Sequence, residues 1–312
     1  MPLSRLNETE GRRTVVGLGE GLFDVIAGEP HCGGAPLNFA VHAHQLGNEG
    51  SVVTRVGNDD LAARLTDELA RRGMTTRYVQ VDSDRPTGTV VVCLDRNGQP
   101  SYEIVADVAW DALEFTPELA SLAREADAVC FGTLGQRSAA SREAIRRFLE
   151  AADRAERLLD VNLRPPFYDA SLLARSCEPA TAVKLNEGEL RELAGLFGLS
   201  RDGAADGLRE RFGLSWVAVS RGPRGTVVHD AAGRHESEPV AARTEDGDPV
   251  GAGDATAAAL VHGAIRGWPW SMTLALANRL GAYVASCRGA CPRLPRGIVD
   301  IRGNAGDPQG SP

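Results

Sequence analysis

The sequence predicts an α/β protein: a mainly parallel central β-sheet covered by helices on both faces, with a small separate β-sheet. Three observations lead there. Short apolar strands alternate with helical segments over most of the chain, the pattern of a parallel sheet buried on both sides. The strands are β-branched runs, such as TVVGLG and SWVAVS, rather than apolar-polar alternations. The alternation breaks once, at three consecutive strands between residues 77 and 106, a meander that belongs in a sheet of its own. A chain of 312 residues suits one large α/β domain or two ordinary ones.

Each element has a local reason. Thr14–Gly19 is a β-branched run closed by glycine, a first strand, and LFDVIA continues as strand. Pro36–Leu46 is a helix with proline at its start and Gly47 just past its end. SVVTRVG is a strand. Asp59–Arg72 is an amphipathic helix with Leu61, Leu65 and Leu69 as its apolar stripe, and Asp67/Arg71 and Glu68/Arg72 as i,i+4 pairs. RYVQVD, TGTVVVCLD and PSYEIVA form the meander, with Asn97-Gly98 as a hairpin turn. Alternation then resumes: AVCFGTL is a strand, Ser138–Arg157 a helix, LLDVNL and AVKLN strands, Glu187–Phe197 a helix, SWVAVS and TVVHD strands, Ala255–Arg266 and Ser271–Cys287 helices. The tail RGNAGDPQGSP is rich in Gly and Pro and is expected to be loose.

Composition narrows the function classes. Hydrophobic residues at 43% and charged residues at 24% fit a soluble globular protein. No apolar run approaches the ~20 residues of a membrane span, and the polar start MPLSRLNETEGRR is no signal peptide. The expectation is a cytoplasmic protein with no membrane partner. A net charge of −8 without a basic, aromatic-laced patch argues against nucleic acid. Cys32, Cys93, Cys130, Cys177, Cys287 and Cys291 form no C-x-x-C pair, so they read as reduced core thiols, with a Cys287–Cys291 bridge as the alternative. Lys184 is the single lysine among 34 basic residues. A Walker-type phosphate loop is therefore excluded. Gly17, Gly19 and Gly21 have the wrong spacing for a dinucleotide fingerprint, which leaves a dehydrogenase a distant reading.

Four stretches carry chemistry. In DPVGAGDATAAAL, Gly251, Ala252 and Gly253 lack bulk and open a helix, whose first amides and dipole favour an anion. Two readings are open for Asp254: an N-cap, or a general base that takes a proton from a substrate hydroxyl attacking a phosphoryl group on those amides. The all-small run behind it favours the second, because such a helix packs tightly and holds the turn rigid. Asn186 and Glu189, three apart at a strand-to-helix junction, form either a capping box or a water-mediated Mg²⁺ site. Gly33-Gly34-Ala35-Pro36-Leu37-Asn38, with Asp24 on the preceding strand, is either a tight turn into a helix or a site for sugar hydroxyls. Asn162 and Arg164 stand at a strand end, where Arg164 is a surface residue or a neutraliser of phosphate charge. His31, His42 and His44 read as core or surface residues rather than metal ligands.

Taken in order, from about Val15 to Pro295, these stretches resemble the phosphofructokinase-B (pfkB), ribokinase-type sugar kinase family. Asp248-Pro-Val-Gly-Ala-Gly-Asp-Ala255 is similar to the family's D-T-x-G-A-G-D-A motif, and GGAPLNFA with VTRVGNDDLAARL to its diglycine region. G-G-A-P-x-N, Pro86-Thr87-Gly88 and the D-x-N-x-R of Asp160 to Arg164 resemble the fructokinase branch. The resemblance implies a ribokinase-like three-layer α/β/α sandwich in one kinase domain at 13–300. A β lid inserted at about 75–110 and flexible tails at 1–12 and 301–312 complete it.

It further implies ATP, Mg²⁺ and K⁺ as cofactors, and a small sugar as phosphoryl acceptor, fructose or a related one. Asp254 would be the base, Gly251–Gly253 the anion hole and Arg164 its partner. Asp24, Gly33, Gly34, Asn38 and Asn162 would hold the sugar. Lys184, Asn186, Ser220, Gly222, Gly225 and Asn278 would meet ATP. Asn186 and Glu189 would organise Mg²⁺, and Asp248, Val250, Ser286 and Gly289 a monovalent cation. Two departures stand out: Thr256 replaces the usual Phe, and ADVAWDAL lacks the arginine expected after the lid, so Trp110 is expected as an apolar wall of the sugar site. A homodimer through the lid is a further expectation. A nucleoside or sugar-acid kinase, and a non-catalytic sugar- or nucleotide-binding regulator, are the alternatives.

Overall fold

The computed structural model describes residues 11–26, 28–94, 100–242 and 247–299. The strands are β1 (Thr14–Leu18), β2 (Leu22–Ile26), β3 (Glu29–Gly33), β4 (Glu49–Gly57), β5 (Val79–Asp82), β6 (Gly88–Leu94), β7 (Pro100–Ile104), β8 (Ala128–Phe131), β9 (Glu156–Asp160), β10 (Ala182–Asn186), β11 (Trp216–Ser220), β12 (Thr226–Asp230) and β13 (Gly233–Glu236). The helices are α1 (Ala35–Gln45), α2 (Asp60–Arg71), α3 (Pro117–Glu125), α4 (Ala139–Ala151), α5 (Ala170–Cys177), α6 (Glu187–Phe197), α7 (Ala204–Phe212), α8 (Ala252–Ala264) and α9 (Trp270–Ala285). None of the described helices is long and apolar enough to cross a membrane.

Nine strands make the central sheet, in the order β13-β12-β11-β10-β9-β8-β1-β4-β5. It is parallel from β5 to β11; β12 and β13 add antiparallel at one edge. Successive strand residues point to opposite faces, and the core divides accordingly. Val16, Val129, Leu159, Val183 and Val217 pack under α4 to α7. Val15, Cys130, Leu158, Ala182 and Ala218 pack under α8 and α9. Ala255, Ala257, Ala258 and Ala259 are at most 1% exposed, so the small side chains of α8 do bring its backbone close to the sheet.

The small sheet differs from expectation. Its order is β3-β2-β6-β7, so half of it comes from residues 22–33. RYVQVD was assigned to the meander, yet β5 pairs in parallel with β4, Thr54 opposite Val79. The reason is a tertiary tie: Asp82 at the end of β5 is 2% exposed and meets Arg55 of β4 at 3.1 Å. The Asn97-Gly98 turn and the side chain of Cys93 lie outside the described residues, as do positions 1–10 and 300–312. Arg12, placed in the loose tail, donates to Asn48 O at 3.0 Å. The helix expected at Ser138–Arg157 ends at Ala151, and β9 begins at Glu156. Glu68 takes both Arg72 and Arg71, at 2.7 and 3.2 Å, in place of the expected Asp67/Arg71 pair. Cys287 and Cys291 are free thiols, not a bridge.

Candidate active site

A cavity of about 520 Å³ opens beyond the carboxyl ends of β1, β8, β9 and β10. From β1 the chain builds toward β4 and β5, whereas from β8 it builds toward β11, so the strand order reverses between β1 and β8. Open parallel sheets bind ligands at such a switch point. Leu22, Asp24, Val90 and Ile104 of the small sheet close the cavity from above.

Asp254 lies in its wall. Helix α8 starts earlier than the sequence suggested, with Gly251 as its N-cap and no side-chain cap. Asp254 is therefore the third helical residue, and the N-cap reading is set aside. Gly251 has φ 78, and a Cβ there would stand 2.3 Å from Ala290 O, so this turn admits only glycine. The first intrahelical bond runs from Ala255 N to Gly251 O at 2.9 Å, and Ala252 N turns back to Pro249 O at 3.2 Å. Ala252 thus withdraws its amide from the expected anion hole. The amides of Gly253 and Asp254 remain as helix-terminal donors without an intrahelical acceptor. Asn38 Nδ2 donates to Asp254 Oδ2 at 2.9 Å and fixes the carboxylate.

Lys184, the residue expected to meet ATP, stands beside this turn. Lys184 Nζ lies so near Gly253 that a Cβ on that glycine would be 3.1 Å away. The same ammonium donates to both oxygens of Asp160, at 3.1 and 3.0 Å. Burial raises the Asp160 carboxyl to about 6, against the attraction of Lys184. Burial opposes charge on Lys184, but Asp160 and Asp254 outweigh it and hold its pKa above the ordinary value. Arg164 also lines the cavity.

Toward the small sheet stand Asp24, Gly34, Asn38 and Asn162. Asn162 adopts φ 38, a left-handed conformation that asparagine tolerates better than most residues. Burial raises the Asp24 carboxyl, with Arg164 and His31 opposing. Gly33 makes room for the Asp24 carboxylate just outside the cavity. Trp110, expected as an apolar wall, is not among the residues lining the cavity. It is 2% exposed, packed with Val108 and Leu134 beneath the Arg137 guanidinium at 3.9 Å. The 3₁₀ turn at Ala109–Ala112 tucks it inward.

Asn186 and Glu189 form the capping box: Glu189 N donates to Asn186 Oδ1 at 3.0 Å, and Asn186 N to Glu189 Oε2 at 2.8 Å. Leu163 N donates to Glu189 Oε1 at 3.0 Å. Both carboxylate oxygens are thus engaged, and what they can still offer is a lone pair to a water. Ser220, Gly222, Gly225 and Asn278 gather beyond β11 and β12, outside the cavity lining. Asn278 Oδ1 accepts from Thr226 N at 3.0 Å, and its amide packs on Gly225. Asp248 accepts from Val250 N at 3.0 Å and Gly289 N at 3.1 Å, which joins the two loops expected to share a cation. Ser286 is on the second loop and donates to Ala282 O at 2.8 Å.

Sequence reasoning missed Glu20. It lines the cavity between Gly19 and Gly21, is 4% exposed, and its Oε2 meets no hydrogen-bond partner among the described residues. Burial first, then repulsion from Asp254, raises its carboxyl to about 7; its own amide, that of Ala35 and Arg164 pull the other way. The signal was an acid directly after the first apolar strand, where burial is expected and charge is not. A folded pKa above the unfolded value means the native state holds a proton the unfolded chain has lost. Stability therefore falls as pH rises from about 4.5 to about 7. Glu20→Gln removes this term: between pH 5 and 8 the variant should gain roughly 2–3 kcal/mol on the wild type, measured as urea unfolding free energies. A difference that stays constant with pH would refute it.

The family pattern for pfkB family carbohydrate kinases matches residues 13–296. The chain is 29% identical to a fructokinase of Klebsiella pneumoniae over 283 residues, 84% of this chain and 88% of the relative. A sugar kinase of Pyrococcus horikoshii in complex with ATP superposes with a TM-score of 0.76 at 27% identity, over 90% of this chain and 94% of that one. A fructokinase of Xylella fastidiosa with bound ATP shares the fold with a TM-score of 0.81 at 22% identity, over 91% and 96% of the two chains. The three-layer α/β/α sandwich is thus ribokinase-like, and the chain belongs to the pfkB family of carbohydrate kinases.

Proposed function

We propose that this pfkB-family chain transfers the γ-phosphoryl group of ATP to a hydroxyl of a small neutral sugar, fructose or a related one, with Asp254 as general base. One observation carries the reading. Asp254 is freed from capping its helix, held by Asn38 at the cavity wall, and set beside the first amides of α8. The carboxylate accepts the hydroxyl proton while that oxygen forms its bond to the γ-phosphorus. The bond from the γ-phosphorus to the β,γ-bridging oxygen breaks, and ADP leaves. The amides of Gly253 and Asp254, with Lys184 and Arg164, offset charge on the transferring group.

Among the described residues no cluster of three His, Cys, Asp or Glu is placed to hold a metal. Mg²⁺ would therefore arrive on the nucleotide, with Asn186 and Glu189 acting through water. It would supply charge neutralisation on the phosphates. Asp248, Val250, Ser286 and Gly289 would serve a monovalent cation such as K⁺. Among the residues lining the cavity, the carboxylates of Asp24, Asp160 and Asp254 outnumber the cations Lys184 and Arg164, which disfavours a carboxylate-bearing sugar acid.

Coupled ADP release with ATP, Mg²⁺ and K⁺ tests the reading across ketohexoses, pentoses, sugar acids and nucleosides. Turnover is expected with neutral sugars, with fructose foremost. Binding without turnover would favour a regulator, and turnover confined to nucleosides or sugar acids would replace the acceptor.

A further inference from the structure

We infer that Cys291 is a positioning residue: its thiol orients the Asn38 amide that holds the catalytic carboxylate. Cys291 Sγ donates to Asn38 Oδ1 at 3.3 Å, and Asn38 Nδ2 donates to Asp254 Oδ2 at 2.9 Å. An asparagine amide has an acceptor end and a donor end, and only one orientation suits a carboxylate. The thiol donor occupies the acceptor end, so the donor end is left for Asp254. Burial raises the Cys291 pKa, with Arg72 opposing and Asp254 adding to the rise, so the sulfur keeps its proton.

The thiol is placed by a built scaffold. Asn38, His42 and Gln45 lie at i, i+4 and i+7 on α1, hence on one face. His42 Nε2 is 2.9 Å from Ala290 O, and Gln45 Nε2 donates to Pro292 O at 3.1 Å. Just past the end of α2, Arg72 Nη2 donates to Cys291 O at 2.9 Å. The segment carrying Cys291 is thus fastened on both sides of the sulfur. Cys291 also lines a second cavity of about 400 Å³, together with Cys32 and Arg72. Its hydrogen bond to Asn38 links that cavity's lining to the lining of the active site.

The inference rests on Asp254 being the base. Cys291→Val removes the donor and adds one methyl group; Cys291→Ser keeps a donor. The valine variant should lose about 3- to 10-fold in kcat, the worth of one modest hydrogen bond, with KM for ATP unchanged and melting temperature close to wild type. The serine variant should recover most of kcat. If valine proves unstable, Cys291→Ala serves, with the same expected contrast to serine. Equal kcat in the donor and non-donor variants, whether normal or reduced, would overturn the inference. Asp254→Asn, assayed alongside, separates the two claims. An inactive Asp254→Asn with a fully active Cys291→Val defeats only the role of the thiol, whereas an active Asp254→Asn defeats the base.

Discussion

Asp254→Asn is expected to lower kcat by about 10²–10⁴-fold, the usual contribution of a positioned proton acceptor, while nucleotide binding stays as it was. The substitution is nearly isosteric. Its amide oxygen can still accept from Asn38 Nδ2, which now meets the carboxylate at 2.9 Å, so the wall of the cavity should not collapse. The amides of Gly253 and Asp254 belong to the backbone and survive the change. What disappears is the capacity to take the hydroxyl proton. Steady-state kinetics with calorimetric titration of ATP checks both halves. Wild-type turnover in the variant would remove the base from the mechanism. Loss of ATP binding together with turnover would assign the residue to nucleotide binding.

Lys184→Met should damage stability and activity together. Lys184 and Asp160 are 7% and 4% exposed, and their contacts of 3.0 and 3.1 Å satisfy each other. Removing the cation strands a buried carboxylate, at a cost of about 3–5 kcal/mol, seen in denaturant unfolding. Activity should fall as well, because the one ammonium beside Gly253 is gone. The double variant Lys184→Met/Asp160→Leu separates the effects. Replacing both partners by apolar groups of similar volume is often neutral or stabilising, so stability should return while turnover does not. Restored turnover in the double variant would show that Lys184 has no part in handling phosphate. A single variant as stable as the wild type would show that the pair is not satisfied as described.

Much of the cavity wall could be read from the chain, because neighbouring residues carried it. The turn at 248–255 announced itself through small residues before an acid, and Gly34, Asn38 and Arg164 through turns at strand ends. What escaped depends on distance along the chain. Lys184 and Gly253 are far apart in sequence, and only the packing of α8 on the sheet brings the ammonium beside the turn. The early start of α8, which decides that Asp254 does not cap, follows from Gly251 seating on Ala290 rather than from local propensity. The lid was misdrawn for a similar reason. β2 and β6 are distant segments, joined in parallel with Leu22 opposite Gly88, while β5 is held to the main sheet by Arg55 and Asp82. Trp110 failed as a wall because the residues around an aromatic ring in a short 3₁₀ turn give no sign of which way that turn faces. Glu20 went unnoticed because a lone acid between glycines resembles a surface loop until the lid covers it.

The most direct test is a crystal structure with fructose and a non-hydrolysable ATP analogue. A sugar hydroxyl should lie within hydrogen-bond reach of the Asp254 carboxylate, about 2.6–3.2 Å, with the terminal phosphate analogue seated on the amides of Gly253 and Asp254 near Lys184. A sugar whose hydroxyls all point away from Asp254, or a terminal phosphate bound elsewhere, would contradict the account.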